Sequence, residues 1–507
     1  MNTTITAKPQ WFWRWLAGPD GSRAYSMAPV QIRLLVCCAL LIAAGIGFLG
    51  NGQNFLRDPD TLWHVTLGAD IWATKSFPHV DAYSHTFAGE PWIAKEWLSQ
   101  MLIFAAHSAG GWNGVILLAV AALLTALVQV YWPLSSKLNP VTAAVIALAA
   151  IMLSREVLWA RPHVIVLPVL IWFVYSVWSA ARENRTPSFI LLLAMCLWAN
   201  MHGSFTFGFA VAGLSFLYFL NGHRKLRSTQ TYRWLIFLAL CPVAAMVHPY
   251  GYEAIWSTIV VAKSEALPYI SEWRAFSAQK DVAGELVILG LIGLFALGRL
   301  RLNIFTVIFL CFLLHMYLTH FRFMYLFFLL TPLLLADGAG AQIKWISYER
   351  WKDKAGTTEL GRAFAILSGP FLIVTAALTA FAFVFAGRHA DWTPAETYPV
   401  AAIEAARAAG VSGKVMNYYG YGGALIYERI PTFVDGRADR LFQNGFVEEI
   451  NQTRLAGGEE MLKDHIEKYD ISWSIYPARD GRVKLLDKMS GWERLYGDDR
   501  AVVHAKE

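Results

Sequence analysis

The chain has 507 residues, of which 56% are hydrophobic and only 16% charged, with a mean hydropathy of +0.41 and a formal net charge of +6. That balance excludes a string of soluble domains and indicates a multi-pass α-helical membrane protein. The basic residues cluster between apolar runs, where membrane orientation accounts for them without nucleic acid as a partner, and the five cysteines (Cys37, Cys38, Cys196, Cys241, Cys311) lie inside apolar runs with no CxxC metal spacing.

In chain order, a basic N-terminus (1–33, with Lys8, Arg14, Arg23 and Arg33) precedes an apolar run over 34–50 that lacks a small-residue cleavage site, which predicts a retained anchor. Further runs at 112–132, 140–154, 162–180, 188–201, 204–221, 233–249, 284–299, 302–319, 321–336 and 363–387 bring the expectation to about eleven spans, those at 140–154 and 188–201 being short. Connecting segments with Lys137, Arg182, Arg185, the basic stretch 223–227, Arg299, Arg301, Lys344 and Lys354 fall on one side, the cytoplasm by the positive-inside rule. The first loop (51–111), the turn 155–163, the segments 200–204, 248–283 and 319–322, and the tail 388–507 then face the exterior or periplasm.

The first loop opens with "RDPDTLWHVTLGAD", which crowds Asp58, Asp60, His64 and Asp70 beside the membrane. Asp58-Pro59-Asp60 reads as a helix N-cap with proline at the first position, followed by "TLWHVTLGADIWA" as the helix. A cap explains one aspartate, not both; Asp70 reads as part of a solvated helix face. The stretch 96–106, beside Trp92, Trp97 and Phe104, suits an amphipathic helix in the membrane interface.

The remaining polar residues without an obvious structural role fall on the same outer side: Glu96, Arg161, His163, Asn200, His202, His248, Glu272, Arg274, His320 and Arg322. Taken singly, each has a bland reading. Asn200 and His202 can cap a helix, His248 precedes a helix-ending Pro-Tyr-Gly, Glu272 and Arg274 can pair within their loop, and His320 and Arg322 can anchor at the interface. Snorkelling, however, should populate both faces equally, so the one-sidedness argues for a site. A sugar on a lipid phosphate already carries a good leaving group and lacks only a base for the attacking hydroxyl. One partly buried aspartate supplies that base, and arginines and histidines neutralise the departing phosphate. Asp58, Asp60, His64 and Glu96 would also suit a divalent cation (Mg or Mn), although no ligand spacing is diagnostic.

The tail (388–507) reads as a small soluble α/β domain, with a helix-like stretch over 394–409 and β-like runs over 414–418, 431–434, 471–476 and 501–504. Its "NYYGYGGALIYERIPTFVDGRADR" lacks the lysine and spacing of a P-loop and reads as a strand-turn-helix link. Asp435-Gly436-Arg437 reads as a tight turn, with a local ion pair between Asp439 and Arg440.

The segments "DPDTLWHVTLGADIWATKSFPHVDAYSHTFAGEPWIAKEWLSQ", "WANMHGSFTFG", "HPYGYEAI", "SEWR" and "GYGGALIYERIPTFVDGRADR", in this order and spacing, resemble a branch of bacterial multi-pass proteins in the GT-C superfamily of membrane glycosyltransferases. The resemblance implies residence in the bacterial inner membrane, a transmembrane region over 34–387 and an extracytoplasmic C-terminal domain. It further implies a polyprenyl-phosphate-linked sugar as donor, an extracytoplasmic acceptor (lipid, glycan or protein), inversion at the sugar carbon, and a catalytic acid in the first outer loop. By position Asp58 and Asp60 match that acidic motif. Many branches carry two adjacent acids, whereas here Pro59 separates them, which leaves the base between Asp60, at the start of the helix-like run, and Asp58. Two other classes stay open. A transporter or flippase for lipid-linked sugars would show repeat symmetry and Gly/Pro-broken helices, neither of which is evident. A non-catalytic scaffold would bind envelope-assembly proteins through the tail.

Overall fold

The computed structural model describes residues 22–223, 227–261, 263–355, 359–455 and 457–507. Most of the predicted basic cluster at 223–227 lies outside them, as do the first 21 residues of the N-terminus and the Asp439 side chain of the expected Asp439–Arg440 pair.

Each of the eleven apolar runs contains a helix. In chain order the main helices before residue 390 are α1 (Ser22–Gly50), α2 (Asp60–Thr74), α3 (Trp97–Leu134), α4 (Pro140–Leu153), α5 (Leu167–Arg182), α6 (Leu191–Met201), α7 (Phe205–His223), α8 (Thr229–Ala245), α9 (Glu253–Val261), α10 (Val282–Ala296), α11 (Ile304–Thr319), α12 (Met324–Gln342) and α13 (Glu359–His389), with short helices at Pro162–Ile165 and Tyr348–Ala355. Among the described residues, five helical stretches are long and apolar enough to cross a membrane: Pro29–Gly50, Trp97–Leu134, Phe205–Gly222, Phe321–Gln342 and Pro370–His389. Five more apolar helices are shorter. Helix starts follow local chemistry: the Asn139 side chain accepts the Thr142 N–H at 2.9 Å ahead of Pro140, and Ser228 accepts the Thr231 N–H at 3.1 Å. The protein is thus a multi-pass helical membrane protein. Its main core is built largely from α3 to α7, α11 and α12, with α13 lying along α1 and presenting most of its surface outward.

The first loop is ordered around α2 and the front of α3. The amphipathic stretch 96–106 is helical as expected and belongs to the first of two helices within α3, which meet at an elbow where Gly110 and Gly111 leave helical geometry; Gly111 has φ +58°, a conformation that favours glycine.

The C-terminal segment folds as α14 (Val400–Ala408), β1 (Lys414–Asn417), α15 (Gly422–Tyr427), α16 (Phe446–Gln452), α17 (Glu459–Lys468), β2 (Ile471–Pro477), α18 (Gly481–Leu486), β3 (Trp492–Gly497) and β4 (Ala501–Lys506). The sheet order is β1-β2-β4-β3, with β1 parallel to β2 and the other pairs antiparallel. Three of the expected strands are present. The run at 431–434 is not a strand of this sheet, and the helix expected over 394–409 is confined to α14. The strand missed in the sequence is β3, whose half-exposed WERLYG pattern carries no clean alternation.

The run 431–434 instead pairs with the first loop. The Thr432 N–H donates to the Tyr83 carbonyl and the His85 N–H to the Thr432 carbonyl, both at 2.9 Å, while Thr86 Oγ1 donates to the Phe433 carbonyl at 2.8 Å. A second hydrophobic core crosses the same junction, joining Trp63, Leu67, Ile71, Trp92 and Ile93 of the first loop to Met416, Phe433, Phe446 and Ile466. The first loop and the C-terminal segment therefore bury their apolar faces against one another.

Candidate functional site

Asp58, Pro59 and Asp60 lead into α2. Asp58 Oδ1 accepts the Asp60 N–H at 2.8 Å, a local capping bond that fixes the carboxylate at the helix start. Both aspartates are 7% exposed, which requires a counter-charge, and Arg161 provides it from immediately before the short helix Pro162–Ile165. Its Nη2 lies 2.7 Å from Asp60 Oδ2; its Nη1 lies 3.0 Å from Asp58 Oδ2 and 3.3 Å from Glu272 Oε2. Arg322 stands 3.4 Å from Glu272 Oε1 and over the Trp273 ring, its guanidinium carbon 4.5 Å from the ring centre. Three carboxylates thus share two arginines.

The balance is uneven. Burial pushes the Asp60 carboxyl well above the ordinary aspartate range despite Arg161, with Asp58 and Glu272 adding to the rise, and Asp58 is raised for the same first reason. Burial also works against ionised Glu272, but there Arg161 and Arg322 prevail and hold it at about 2. The cluster therefore keeps one firm anion, Glu272, and leaves Asp60 as the carboxylate nearest to accepting a proton.

These residues border a cavity of about 540 Å³. Of the residues expected at a site, Asp60, His64, Glu96, Arg161, His163, His202, Glu272, His320 and Arg322 line it. His202 Nε2 lies 3.5 Å from Glu96 Oε1, and its Nδ1 accepts the Ser204 N–H at 3.1 Å. The Gln100 side-chain amide donates to His64 Nδ1 at 3.2 Å, and burial lowers the His64 pKa well below the ordinary histidine value, so the ring is neutral.

Four expected residues are placed behind the lining or away from it. Asp58 sits beneath Asp60. Asn200 accepts the Trp97 indole N–H at 2.7 Å and donates to the Val247 carbonyl, joining three segments. His248 Nδ1 accepts the Tyr250 N–H while its Nε2 meets the Lys95 carbonyl, which holds a turn. Arg274 makes a two-pronged pair with Asp281 at 2.7 and 2.9 Å and covers the Phe321 ring.

The cavity also contains residues that sequence reasoning passed over: Lys95, His315, Tyr419, Gly436, Arg437 and Arg440. Lys95 and His315 carry no local signal. The other four come from the glycine-rich segment of the tail, whose unusual composition was visible but whose contact with the first loop was not. One flank is apolar, formed by Phe207 and Ala210 of α7, Val261 of α9 and Phe312 and Met316 of α11; the other is polar and roofed by the tail. Among the described residues no group of three or more His, Cys, Asp or Glu side chains is arranged to hold a metal ion. Asp58 and Asp60 are gathered by a guanidinium and Glu96 faces His202, so the Asp58, Asp60, His64 and Glu96 set does not fit Mg or Mn as arranged.

The chain matches no protein-family model and no curated protein sequence. Among solved structures it is similar to ArnT from Cupriavidus metallidurans bound to undecaprenyl phosphate (16% identity, TM-score 0.48) and in the apo state (15%, 0.49), each covering 92% of this chain and 97% of the other. It is also similar to the Archaeoglobus fulgidus oligosaccharyltransferase in the apo form (11% identity, TM-score 0.47), over 93% of this chain and 74% of that one.

Proposed function

We propose that the protein is an integral membrane glycosyltransferase of the GT-C type, which transfers a sugar from a polyprenyl-phosphate-linked donor to a hydroxyl acceptor on the outer face of the inner membrane. The observation that carries this reading is the Asp60–Arg161–Glu272–Arg322 cluster, set in one cavity with an apolar flank and a polar flank. A lipid-borne substrate needs both surfaces, and a water-borne acceptor needs the polar one.

In the proposed step the acceptor oxygen attacks the anomeric carbon and its proton passes to Asp60. The bond from that carbon to the phosphate oxygen breaks on the opposite face, with inversion, and the electron pair leaves with the lipid phosphate. Arg161 and Arg322 meet the charge that builds on the phosphate. Glu272 keeps both guanidiniums aimed at the cavity, and Asp58 fixes the turn that presents Asp60. No step requires a metal. The termini follow from the charge pattern, N-terminus in the cytoplasm and C-terminal segment in the periplasm.

The test uses the full-length protein in lipid vesicles with a panel of undecaprenyl-phosphate-linked hexoses, pentoses and N-acetylhexosamines, scored by release of undecaprenyl phosphate, beside mass spectrometry of envelope glycolipids and glycans from cells with and without the protein. The expected result is turnover of one donor and loss of one glycosylated product in the deficient cells. Unchanged envelope profiles together with no turnover of any donor would defeat the proposal.

A further inference from the structure

The motif "GYGGALIYERIPTFVDGRADR" holds three glycines at points where neighbouring atoms leave no room for a Cβ, largely backbone at Gly422 and Gly423 and the Asp60 carboxylate at Gly436. A Cβ on Gly422 would lie 2.4 Å from the Asp435 Cβ, and one on Gly423 would lie 2.1 Å from the carbonyl oxygen of Pro59. On Gly436 it would lie 1.8 Å from Asp60 Oδ1. None of the three has a left-handed φ, so space and not backbone conformation calls for glycine. The tail is thus pressed against the Asp58-Pro59-Asp60 turn at two consecutive residues, and the second contact is with the proposed base itself.

The Asp435-Gly436-Arg437 turn is itself held rigidly. Arg437, 2% exposed, grips Asp435 with two parallel bonds (Nε–Oδ1 2.8 Å, Nη2–Oδ2 2.7 Å) and reaches Asp81 of the first loop at 2.5 Å. Asp435 also accepts the Thr432 hydroxyl and the Arg437 N–H, while Asp81 accepts the N–H groups of Tyr83 and Ser84. The guanidinium lies between the rings of Tyr83 and Trp92, about 5 Å from each centre. Every charged group here is fully engaged, which makes the turn a stiff wall and not a mobile cover.

We infer that Gly436 is a positioning residue for Asp60: the C-terminal segment supplies the wall that sets the direction of this carboxylate toward the cavity and excludes water from its Oδ1 side. The inference rests on the glycosyltransferase reading, because it assigns the wall a part in the chemistry of Asp60. It also gives the clamped turn a task beyond joining two chain segments. The charged groups acting on Asp60 are Arg161 before the short helix, Asp58 on its own turn and Glu272 from the 271–273 turn; Lys95, Glu96, Arg322, Arg437, Arg440 and the histidines His64, His163, His202, His315 and His320 line the same cavity.

The experiment compares full-length wild type, Gly436→Ala, Asp81→Asn and Arg482→Lys in vesicles, using the undecaprenyl-phosphate sugar that wild type turns over. Arg482 clamps Asp480 within the C-terminal segment, away from the cavity, and serves as the control for general loosening. In Gly436→Ala the carboxylate must yield by an ångström or more. The expected result is a kcat about 100-fold lower with the donor KM within about threefold of wild type. The acidic limb of the rate–pH profile moves to lower pH, since a displaced Asp60 regains water and loses part of its raised pKa. Should Gly436→Ala fail to fold, Asp81→Asn, which loosens the clamp and leaves the glycine in place, is expected to move the limb the same way with a kcat about tenfold lower. Arg482→Lys leaves the limb where it is. A folded Gly436→Ala or Asp81→Asn with wild-type kcat and an unmoved limb overturns the inference, as does an equal movement in Arg482→Lys. Asp60→Asn separates the two levels: if it transfers sugar at the wild-type rate, the base assignment itself fails, and if it is inactive while Gly436→Ala is normal, only the positioning inference fails.

Discussion

Two arginines organise the region around the first loop, Arg437 fully buried and Arg161 with its side chain 13% exposed, and they do so differently. Arg437 holds two carboxylates, and those carboxylates accept further bonds from backbone N–H groups and hydroxyls until the cluster is saturated. Arg161 holds Asp58, Asp60 and Glu272 at 3.0, 2.7 and 3.3 Å and Arg322 shares Glu272, so three carboxylates meet two guanidiniums; burial, with the neighbouring carboxylates adding to it, leaves Asp60 well above its ordinary titration range. A saturated ion cluster resists change and serves as structure. An under-neutralised one beside a cavity is available to chemistry.

The sharpest way to break this comparison is to remove one carboxylate from the Arg161 cluster. Asp60→Asn is expected to lower kcat by about 10²- to 10⁴-fold, the usual range for a general base, in protein that elutes and melts like wild type. In the saturated cluster, Arg437→Met strands two buried carboxylates and is expected to cost about 3–5 kcal/mol of stability, read as a large drop in melting temperature. Equal behaviour of the two variants would erase the distinction drawn between the clusters.

The pH dependence sharpens it further. The raised Asp60 must lose its proton to act, so kcat is expected to rise with pH through a limb above the ordinary aspartate value of about 3.9. Glu272, depressed to about 2, contributes stability that is fully present above its unfolded value of about 4.3 and is lost as pH falls toward 2. Acid melting of Glu272→Gln against wild type reads that window. Asp58→Gln removes the short capping bond and is expected to cost about 1 kcal/mol of stability, well below the effect of Asp60→Asn on rate. Smallest of all is Arg429→Met. It breaks a half-exposed pair with Asp70 at 2.7 Å that joins the tail to α2, and is expected to change stability by less than about 1 kcal/mol. That pair also shows that Asp70, expected on a solvated face, is tied to Arg429 and to the Tyr83 hydroxyl.

Much of this architecture was legible before any coordinates. Apolar runs announce helices because hydropathy is a property of neighbouring residues, and Asp58-Pro59-Asp60 announces a helix start because capping needs only three or four residues in sequence. That Arg161, Glu272 and Arg322 would share one side was an expectation from charge counts, and the structure brings the three into one cluster. Nothing local distinguished Arg322, which enters the cluster, from Arg274, which is taken by Asp281 seven residues on. Asn200 and His248 were equally suggestive in sequence and are spent on backbone and indole partners.

The sequence by itself determined a multi-pass helical protein with an acidic helix start beside its first span and a glycine-rich tail segment. Only the tertiary structure decided that Asp60 meets an arginine about a hundred residues away, and that the tail closes on the first loop with Gly436 against Asp60. The reason is physical: periodicity, capping and hydropathy act between residues a few positions apart and leave a pattern there. A buried ion cluster is satisfied by whichever distant side chain the packed helices bring within about 3 Å, and that choice leaves no local pattern to read.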